Sequence, residues 1–308
     1  IFYNIYYNMI EITFLGTSGA IPTISRNTSA IYLKFNEENI LIDCGEGTQR
    51  QFRKAKVNPC KITRILLTHL HGDHIFGLPG LFQTLALNDY QKKLFIYGPK
   101  GTKTLIKEIF KTFIPHKRIN YEVEEVSGTF LKTRDFEIKS LALSHETPTN
   151  GYIFHQKDKL RIHKDKIQKL NIKNHPDLKK LIQGKDIKIN NKTLKSKDYT
   201  YLQKGKKVAF IFDTKVCANA KKLAENSDLA IFESTFLDNS GQGEKLAKEY
   251  NHLTAKQAAE LAKQGKVKQA ILTHISQRYE FKEKLILDEA KKTFPKIQIA
   301  KDLMKIEV

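Results

Sequence analysis

The sequence predicts an α/β protein, a four-layer αββα sandwich into which a basic segment is inserted. Three observations carry this prediction. Predicted strands and helices alternate in both halves of the chain, residues able to bind metal follow several of the strands, and residues 155–207 differ in composition from their surroundings. With 308 residues and a hydrophobic fraction of 40%, the chain is long enough for one large domain or two ordinary ones.

The strands and helices follow from apolar periodicity and from the turn residues between the runs. In the first half we predict strands at residues 10–15, 30–35, 39–43, 62–68, 94–98, 121–126 and 136–143, and helices at residues 77–87 and 101–112. After the basic segment we predict strands at residues 207–212, 229–232 and 270–273, and helices at residues 215–226 and 254–264. Two βαβ-like halves with early hairpins predict the four layers.

Residues 155–207 are strongly basic. They carry 17 Lys and Arg residues against five Asp residues, and so +12 of the formal net charge of +20. A bias of the whole composition is the alternative explanation, but it would spread the charge evenly. Ile and Leu recur through the segment, which favours a small folded arm over a disordered tail. Its charge favours a polyanionic partner, because each neutralised phosphate releases counterions.

The cysteines and the chain start bear on the compartment. Three cysteines without a C-x-x-C pair argue against a disulfide framework or a thiolate zinc site. No apolar run approaches the roughly 18 residues that predict a membrane span, and residues 1–8 lack the features of a signal peptide. We therefore expect a cytoplasmic protein without a membrane partner. Met9 is the expected natural start, and residues 1–8 are an N-terminal extension of unassigned role.

The motif T-H-L-H-G-D-H at residues 68–74 directly follows a predicted strand. Its candidate metal ligands are His69, His71, Asp73 and His74. Imidazole and carboxylate suit Zn²⁺, Mn²⁺ or Fe²⁺, and the lack of thiolate favours a catalytic over a structural site. A His-rich surface turn is the alternative, but four potential ligands at this spacing favour a metal site.

Three more candidate ligands follow strands elsewhere, namely His145, Asp213 and His274. A solitary histidine at a strand end is more often a core or surface residue. Because α/β sheets bind ligands beyond their strand ends, however, the three can join the motif and complete two metal sites, with Asp213 able to bridge. Two ions about 3.5–4 Å apart can clamp the attacking and leaving oxygens of a phosphoryl displacement.

Glu233 and His252 form a candidate acid–base pair. Glu233 ends an apolar strand, where an isolated carboxylate would be costly unless it is paired. His252, in N-H-L-T before a predicted helix, is a candidate partner. A carboxylate raises the basicity of a histidine and fixes its tautomer, as a general acid requires. The alternative is that His252 merely precedes the helix cap at Thr254.

Together these segments resemble the tRNase Z (ribonuclease Z) family in its short homodimeric form, which has the metallo-β-lactamase fold. The resemblance runs from Met9 over nearly the whole chain. Its motifs are FLGTSGAIPT (14–23), DCGEGTQRQ (43–51), THLHGDHIFGLPGL (68–81), SHETPTNGY (144–152), FDT (212–214), FESTF (232–236), HLTA (252–255) and THISQRY (273–279). Many hydrolases share the H-x-H-x-D-H pattern, whereas GTSGAIPT, GEGTQRQ and TH-x-S-x-RY are more specific.

The resemblance implies a zinc-dependent endoribonuclease that removes the 3′ trailer from precursor tRNA. It would cut after the discriminator nucleotide and leave a 3′-hydroxyl. Two Zn²⁺ per subunit are implied, with Mn²⁺ as a substitute. The implied ligands are His69, His71 and His145 for one ion, and Asp73, His74 and His274 for the other, with Asp213 bridging. Asp73 is the implied proton acceptor, and Glu233 with His252 the implied relay for the leaving group.

The resemblance also implies that the segment 155–207 is the family's protruding arm, an exosite that grips the tRNA elbow. The predicted RNA contacts are Arg26, Asn27, Thr254, Arg278, Lys179, Lys180 and Lys185. The sequence departs from the family in two places. His175-Pro176 stands where the arm usually has Gly-Pro, and Ile24 stands where the loop at residues 22–27 often has Lys.

Two other functions remain open from the sequence. One is a hydrolase of small substrates on the same scaffold, such as a phosphodiesterase, an arylsulfatase-like enzyme or a thioesterase, which would not need the basic arm. The other is a non-catalytic RNA-binding module on a degenerate scaffold, against which the complete ligand set argues.

Overall fold

The computed structural model describes residues 9–114, 119–172, 175–189, 192–238 and 241–308. The predicted N-terminal extension, residues 1–8, lies outside the described residues. The chain divides into two compact units. The first, called here the sandwich unit, comprises Ile1–Leu131, Ile138–Phe154 and Lys207–Val308; the second, the arm unit, comprises Lys132–Glu137 and His155–Lys206.

The described residues form strands β1 (Glu11–Gly16), β2 (Ser18–Gly19), β3 (Ala30–Phe35), β4 (Glu38–Ile42), β5 (Arg64–Leu66), β6 (Lys93–Gly98), β7 (Asn120–Glu125), β8 (Gly128–Lys132), β9 (Phe136–Ala142), β10 (Asn150–Gln156), β11 (Lys159–Ile162), β12 (Ile187–Ile189), β13 (Lys192–Leu194), β14 (Thr200–Gln203), β15 (Lys207–Ile211), β16 (Leu229–Glu233), β17 (Gln269–Thr273), β18 (Ile275–Ser276), β19 (Ile297–Ile299) and β20 (Lys305–Glu307). They also form helices α1 (Thr48–Lys54), α2 (Gly72–Ile75), α3 (Leu78–Leu87), α4 (Thr102–Phe113), α5 (Lys164–Gln168), α6 (Leu178–Leu181), α7 (Ser196–Tyr199), α8 (Ala218–Ala224), α9 (Gly243–Glu249), α10 (Ala255–Gln264) and α11 (Glu283–Thr293).

Two seven-stranded sheets dominate the fold, and each combines parallel and antiparallel pairs. The first has the order β20-β1-β3-β4-β5-β6-β7, and the second β19-β17-β16-β15-β10-β9-β8. Strands β4 to β7 of the first sheet are parallel, as are β15, β16, β17 and β19 of the second. The apolar runs of inner strands such as β4 and β16 match strands that are covered on both faces.

Each sheet of the sandwich unit has helices on one face and the other sheet on its second face. Ile65 of β5 shares a core with α3 and α4, whereas Phe232 of β16 shares a core with α8, α10 and α11. The residues that alternate with these along the strands, such as Leu66 and Ile231, point to the other face of each sheet and are also buried. Between the sheets, the Tyr152 hydroxyl donates to the Leu67 carbonyl at 2.6 Å. The layers therefore run αββα, and the predicted four-layer fold is confirmed.

Several predicted elements differ from those observed in length. The strand predicted at residues 62–68 is confined to Arg64–Leu66, and the helix predicted at residues 215–226 to Ala218–Ala224. That helix begins later because the Cys217 sulfur caps it by accepting from the Ala220 N–H. Seven described helices were not predicted, namely α1, α2, α5, α6, α7, α9 and α11. Among the described residues, no helix has the length and apolarity needed to cross a bilayer.

The arm unit has a small core of its own. Strands β11 and β14 pair antiparallel, as do β12 and β13, and the helices α5, α6 and α7 lie between them in sequence. Its buried apolar side chains are Ile167, Leu181, Ile187, Ile189 and Leu194. The Gln156 N–H donates to the Lys206 carbonyl at 2.8 Å, so the two ends of the inserted segment lie side by side.

Candidate metal centre

The histidine cluster forms where the chain leaves β5 and turns into α2. His71 is the N-cap of α2, and Asp73 and His74 lie in its only turn. Because α2 is so short, these side chains stay close to His69 and to the ends of the second sheet's strands. Among the described residues, nitrogen and oxygen donors cluster within 4.8 Å of one another in the groups His69/His71/His145, His69/His74/Asp213 and Asp73/His74/His274.

Asp213, just after β15, lies at the centre of the cluster. Its Oδ2 is 3.5 Å from His69 Nε2 and from His74 Nε2, and 3.4 Å from His274 Nε2. The Asp73 carboxylate lies alongside, with its Oδ2 3.3 Å from His74 Nε2 and 3.2 Å from His274 Nε2. On the other side of the cluster, His145 Nε2 is 3.3 Å from His71 Nδ1. The structure thus brings all seven predicted metal ligands together.

The second nitrogen of most of these histidines is held from outside the cluster. His74 Nδ1 is 2.7 Å from Asp43 Oδ2, and His274 Nδ1 is 2.9 Å from Thr235 Oγ1. His145 Nδ1 is 3.2 Å from the Asn251 carbonyl. An acceptor at Nδ1 fixes the tautomer that leaves the Nε2 lone pair facing inward, which is the arrangement that metal-binding histidines use.

The backbone is strained at the same place. Asp43, Asp213 and His274 have φ of 57°, 37° and 57°. Non-glycine residues with positive φ are uncommon, and such strain gathers at functional sites. Strand β18, which follows His274, pairs in parallel with β2. Gly19 of β2 lies so close to His274 that a Cβ atom there would be 2.5 Å from the ring Nδ1.

The pKa values of the centre are shifted in both directions. Burial alone would lower the pKa of His74, but the carboxylates of Asp213, Asp73 and Asp43 raise it well above its usual value. Burial, together with the neighbouring His74, lowers the pKa of His69 well below its usual value. Burial alone would raise the pKa of Asp213, but the imidazoles of His274, His74 and His69 hold it well below its usual range. A neutral imidazole and an ionised carboxylate are the forms that bind cations.

Two buried atoms of the centre are unsatisfied within the described part of the chain. Neither His69 Nε2 nor Asp213 Oδ1 has a hydrogen-bond partner there. Buried polar atoms without partners are rare in proteins because each costs free energy. His69 and Asp213 belong to a group of nitrogen and oxygen donors that contains no thiolate, a set suited to zinc, manganese or iron. The residues therefore fit a divalent metal, and the cluster is a candidate metal-binding site.

Beside this cluster lies the predicted acid–base pair. Glu233 ends β16 with no exposed surface, and its Oε1 is 3.0 Å from His252 Nδ1 and accepts from the Thr214 N–H at 2.9 Å. Burial alone would lower the pKa of His252, but the charge and hydrogen bond of Glu233 raise it to about 9. His252 is therefore a cation at neutral pH.

The predicted RNA contacts fall into two groups. Arg26 is buried and donates to Thr17 Oγ1 and the Ala300 carbonyl, both at 2.7 Å. Thr254 is buried as the N-cap of α10. Both side chains are therefore engaged within the protein. The remaining side chains are exposed except for Asn27, which is half-buried; they are Asn27, Arg278, Lys179, Lys180 and Lys185.

Sequence reasoning missed two residues of this site, Asp43 and Thr235. Asp43 accepts the Thr68 N–H and hydroxyl, each at 2.7 Å, besides contacting His74. It stands directly after a strand, as Asp213 does, and this was the signal that could have identified it. Thr235 carried no such signal, because serine and threonine are common at strand ends.

Comparison with known proteins adds a full-length relationship. The ribonuclease Z of Methanothermobacter thermautotrophicus is 40% identical over 97% of this chain and 97% of its own length. The chain belongs to the ribonuclease Z family. The Bacillus cereus member of the family is 37% identical over 97% of this chain and 99% of its own.

Solved structures match the chain over nearly its whole length. The short form of human tRNase Z matches with a TM-score of 0.69 and 28% identity, over 96% of this chain and 98% of that one. The metallo-β-lactamase fold protein YhfI from Bacillus subtilis matches with a TM-score of 0.68 and 18% identity over 98% of this chain and 100% of that one, which shows the fold alone.

A family model described as Anti-Pycsar protein Apyc1 matches residues 10–194, so this part of the chain also belongs to the family that the model describes. The matched part includes the motif at residues 68–74 and His145. It ends before Asp213, Glu233, His252 and His274, which the full-length ribonuclease Z relatives do cover.

Proposed function

We propose that the chain is an endoribonuclease that hydrolyses one phosphodiester bond of precursor tRNA. It removes the 3′ trailer after the discriminator nucleotide and leaves a 3′-hydroxyl on the tRNA. The observation that carries the proposal is the complete donor cluster next to a buried carboxylate–histidine pair, in a chain of the ribonuclease Z family.

We propose two metal ions, zinc with manganese as a substitute. His69, His71 and His145 would hold one ion and Asp73, His74 and His274 the other, with Asp213 common to both. Their mutual distances support this division, because each set forms a group within 4.8 Å. When bound, such ions supply Lewis acidity to phosphoryl oxygens and lower the pKa of water.

The chain's own groups then divide the proton transfers. The carboxylate of Asp73 accepts from the Ala20 N–H at 2.8 Å, and its side chain is 12% exposed. We assign it the role of proton acceptor. His252 keeps Nδ1 on Glu233, which leaves its Nε2 proton for the departing oxygen. Its raised pKa keeps that proton in place at neutral pH.

The arm unit would bind the folded body of the tRNA through its charge. Lys179 and Lys180 in α6 and Lys185 after it are exposed. Lys180 is paired with Asp177 at 2.6 Å, but an exposed pair of this kind holds its partners weakly. We also propose that the protein acts as a homodimer and works in the cytoplasm, where its three free cysteines remain reduced.

The decisive experiment is trailer cleavage with mapped product ends. Purified protein loaded with zinc or manganese should cut a precursor tRNA after the discriminator nucleotide. If neither loaded form releases the trailer, the proposal is wrong. Light scattering during size-exclusion chromatography checks the dimer, and a monomeric mass would exclude it.

A variant without the arm separates the tRNA function from a hydrolase of small substrates. Because Gln156 and Lys206 are backbone partners, residues 157–205 can be replaced by a two-glycine turn. The shortened protein should lose tRNA cleavage through a higher KM but still hydrolyse bis(p-nitrophenyl) phosphate. Equal losses on both substrates would contradict the role of the arm, and equal activity on tRNA would favour a small natural substrate.

A further inference from the structure

The Thr235 hydroxyl connects the two halves of the site. Thr235 is buried and follows Glu233, the last residue of β16, by two residues. Its Oγ1 donates to Glu233 Oε2 at 2.7 Å and is 2.9 Å from His274 Nδ1. The His274 carbonyl, at 3.2 Å, is a longer contact.

The proton of this hydroxyl can serve one acceptor at a time. A carboxylate at 2.7 Å is the strongest acceptor within reach, so the proton points to Glu233. The contact with His274 can then be a hydrogen bond only if the ring donates, which places the proton on Nδ1. His274 Nε2 is left with its lone pair, 3.2 Å from Asp73 Oδ2 and 3.4 Å from Asp213 Oδ2.

Glu233 therefore acts on two histidines. Its Oε1 accepts from His252 Nδ1 at 3.0 Å and from the Thr214 N–H at 2.9 Å, and its Oε2 accepts from Thr235. Each oxygen is used, as expected for a carboxylate without exposed surface. One carboxylate thus orients the proposed general acid directly and a proposed metal ligand through a hydroxyl.

We propose that Thr235 is a positioning residue that fixes His274 with its proton on Nδ1. Glu233 thereby has two roles: it orients His252 directly, and it supports metal binding by His274 through Thr235. The metal assignment of His274 rests on the proposed function. Mutation of a residue that orients a metal ligand by a hydrogen bond typically lowers the metal affinity by about 10- to 100-fold.

The test compares Thr235→Val with Thr235→Ser and a matched control. Valine keeps the branched shape but removes the hydroxyl, whereas serine keeps the hydroxyl. The control is Thr273→Val. Thr273 precedes His274 and is 1% exposed, and its hydroxyl has no hydrogen-bond partner within the described ranges.

Zinc affinity of the loaded protein is measured by competition with a chromophoric chelator, without RNA. Thr235→Val should lower the affinity for the more weakly held zinc by about 10- to 100-fold, so that less chelator removes it. The zinc affinities of Thr235→Ser and Thr273→Val should stay within about threefold of that of the wild type. Wild-type affinity in Thr235→Val, or an equal loss in Thr273→Val, would overturn the proposal.

A second measurement does not depend on any variant folding. Long-range ¹H–¹⁵N NMR spectra of the zinc-loaded wild type should show His274 protonated at Nδ1, and a proton on Nε2 would refute the proposal. Failure here is separable from failure of the proposed function. If the protein cuts precursor tRNA but Thr235→Val does not change its zinc affinity, only the positioning role is refuted. If the zinc affinities change as predicted but precursor tRNA is not cut, only the proposed nuclease activity is refuted.

Discussion

Removing charge from three arm lysines gives the sharpest test of tRNA as the substrate. Lys179, Lys180 and Lys185 are exposed, and none belongs to the apolar core of the arm unit. Changing all three to glutamine removes three positive charges and keeps most of each aliphatic stem. The arm should therefore stay folded while its attraction for phosphates falls.

The size of the effect follows from counterion release. Each phosphate contact contributes about 0.9 to the slope of log affinity against log salt, so losing three contacts should lower the slope by about 2.7. Between 50 and 200 mM salt, the wild type should then lose about 40-fold more affinity for precursor tRNA than the triple variant does.

The assay is KM for trailer cleavage at several salt concentrations, with hydrolysis of bis(p-nitrophenyl) phosphate measured in parallel. A matched control changes Lys221, Lys222 and Lys263 to glutamine. These lysines are also exposed but lie on α8 and α10 of the sandwich unit. An unchanged salt slope in the arm variant, or the same change in the control, would refute the assignment of these lysines to RNA binding.

Three further predictions concern the metal centre and the arm core. Asp43→Asn should weaken zinc binding by about 10- to 100-fold in a chelator competition because His74 loses its carboxylate partner. The control is Asp302→Asn, which alters a carboxylate that accepts three hydrogen bonds elsewhere in the protein and should leave the zinc affinity unchanged. His252→Gln should slow trailer cleavage by about 10²- to 10⁴-fold with zinc content unchanged, and loss of zinc would speak against a pure acid role. Leu181→Ala should destabilise the arm unit by about 2–5 kcal/mol, seen as faster hydrogen exchange there, with wild-type hydrolysis of the small diester; exchange at the wild-type rate would contradict it.

The four layers could be predicted from the alternation of strands and helices, and the meeting of the ligands from their positions after strands. Parallel strands in one sheet bring their carboxyl ends to one edge. Asp213 after β15 and His274 after β17, both in the second sheet, could therefore be assigned to one edge, whereas His69 follows β5 of the first sheet and was identified by its motif.

Side-chain partners across long sequence distances could not be predicted in the same way. Arg26 was expected to face RNA, but its guanidinium is held by the Ala300 carbonyl, 274 residues away. The role of Thr235 depends on its contact with His274, which follows β17 and lies beside it only in the folded protein. Helix α11 was missed because its apolar stripe is narrow: its buried side chains are Ile286, Glu289 and Ala290, of which only two are apolar.

Because the two ends of the inserted segment are paired, the segment can be replaced without moving the strands that it connects. Because Gln156 and Lys206 already meet through a backbone hydrogen bond, the intervening chain can be lengthened, shortened or replaced at little entropic cost to the rest of the protein. Adaptation to a differently shaped RNA can therefore be confined to this segment, without a change in the strand ends that carry the candidate metal ligands.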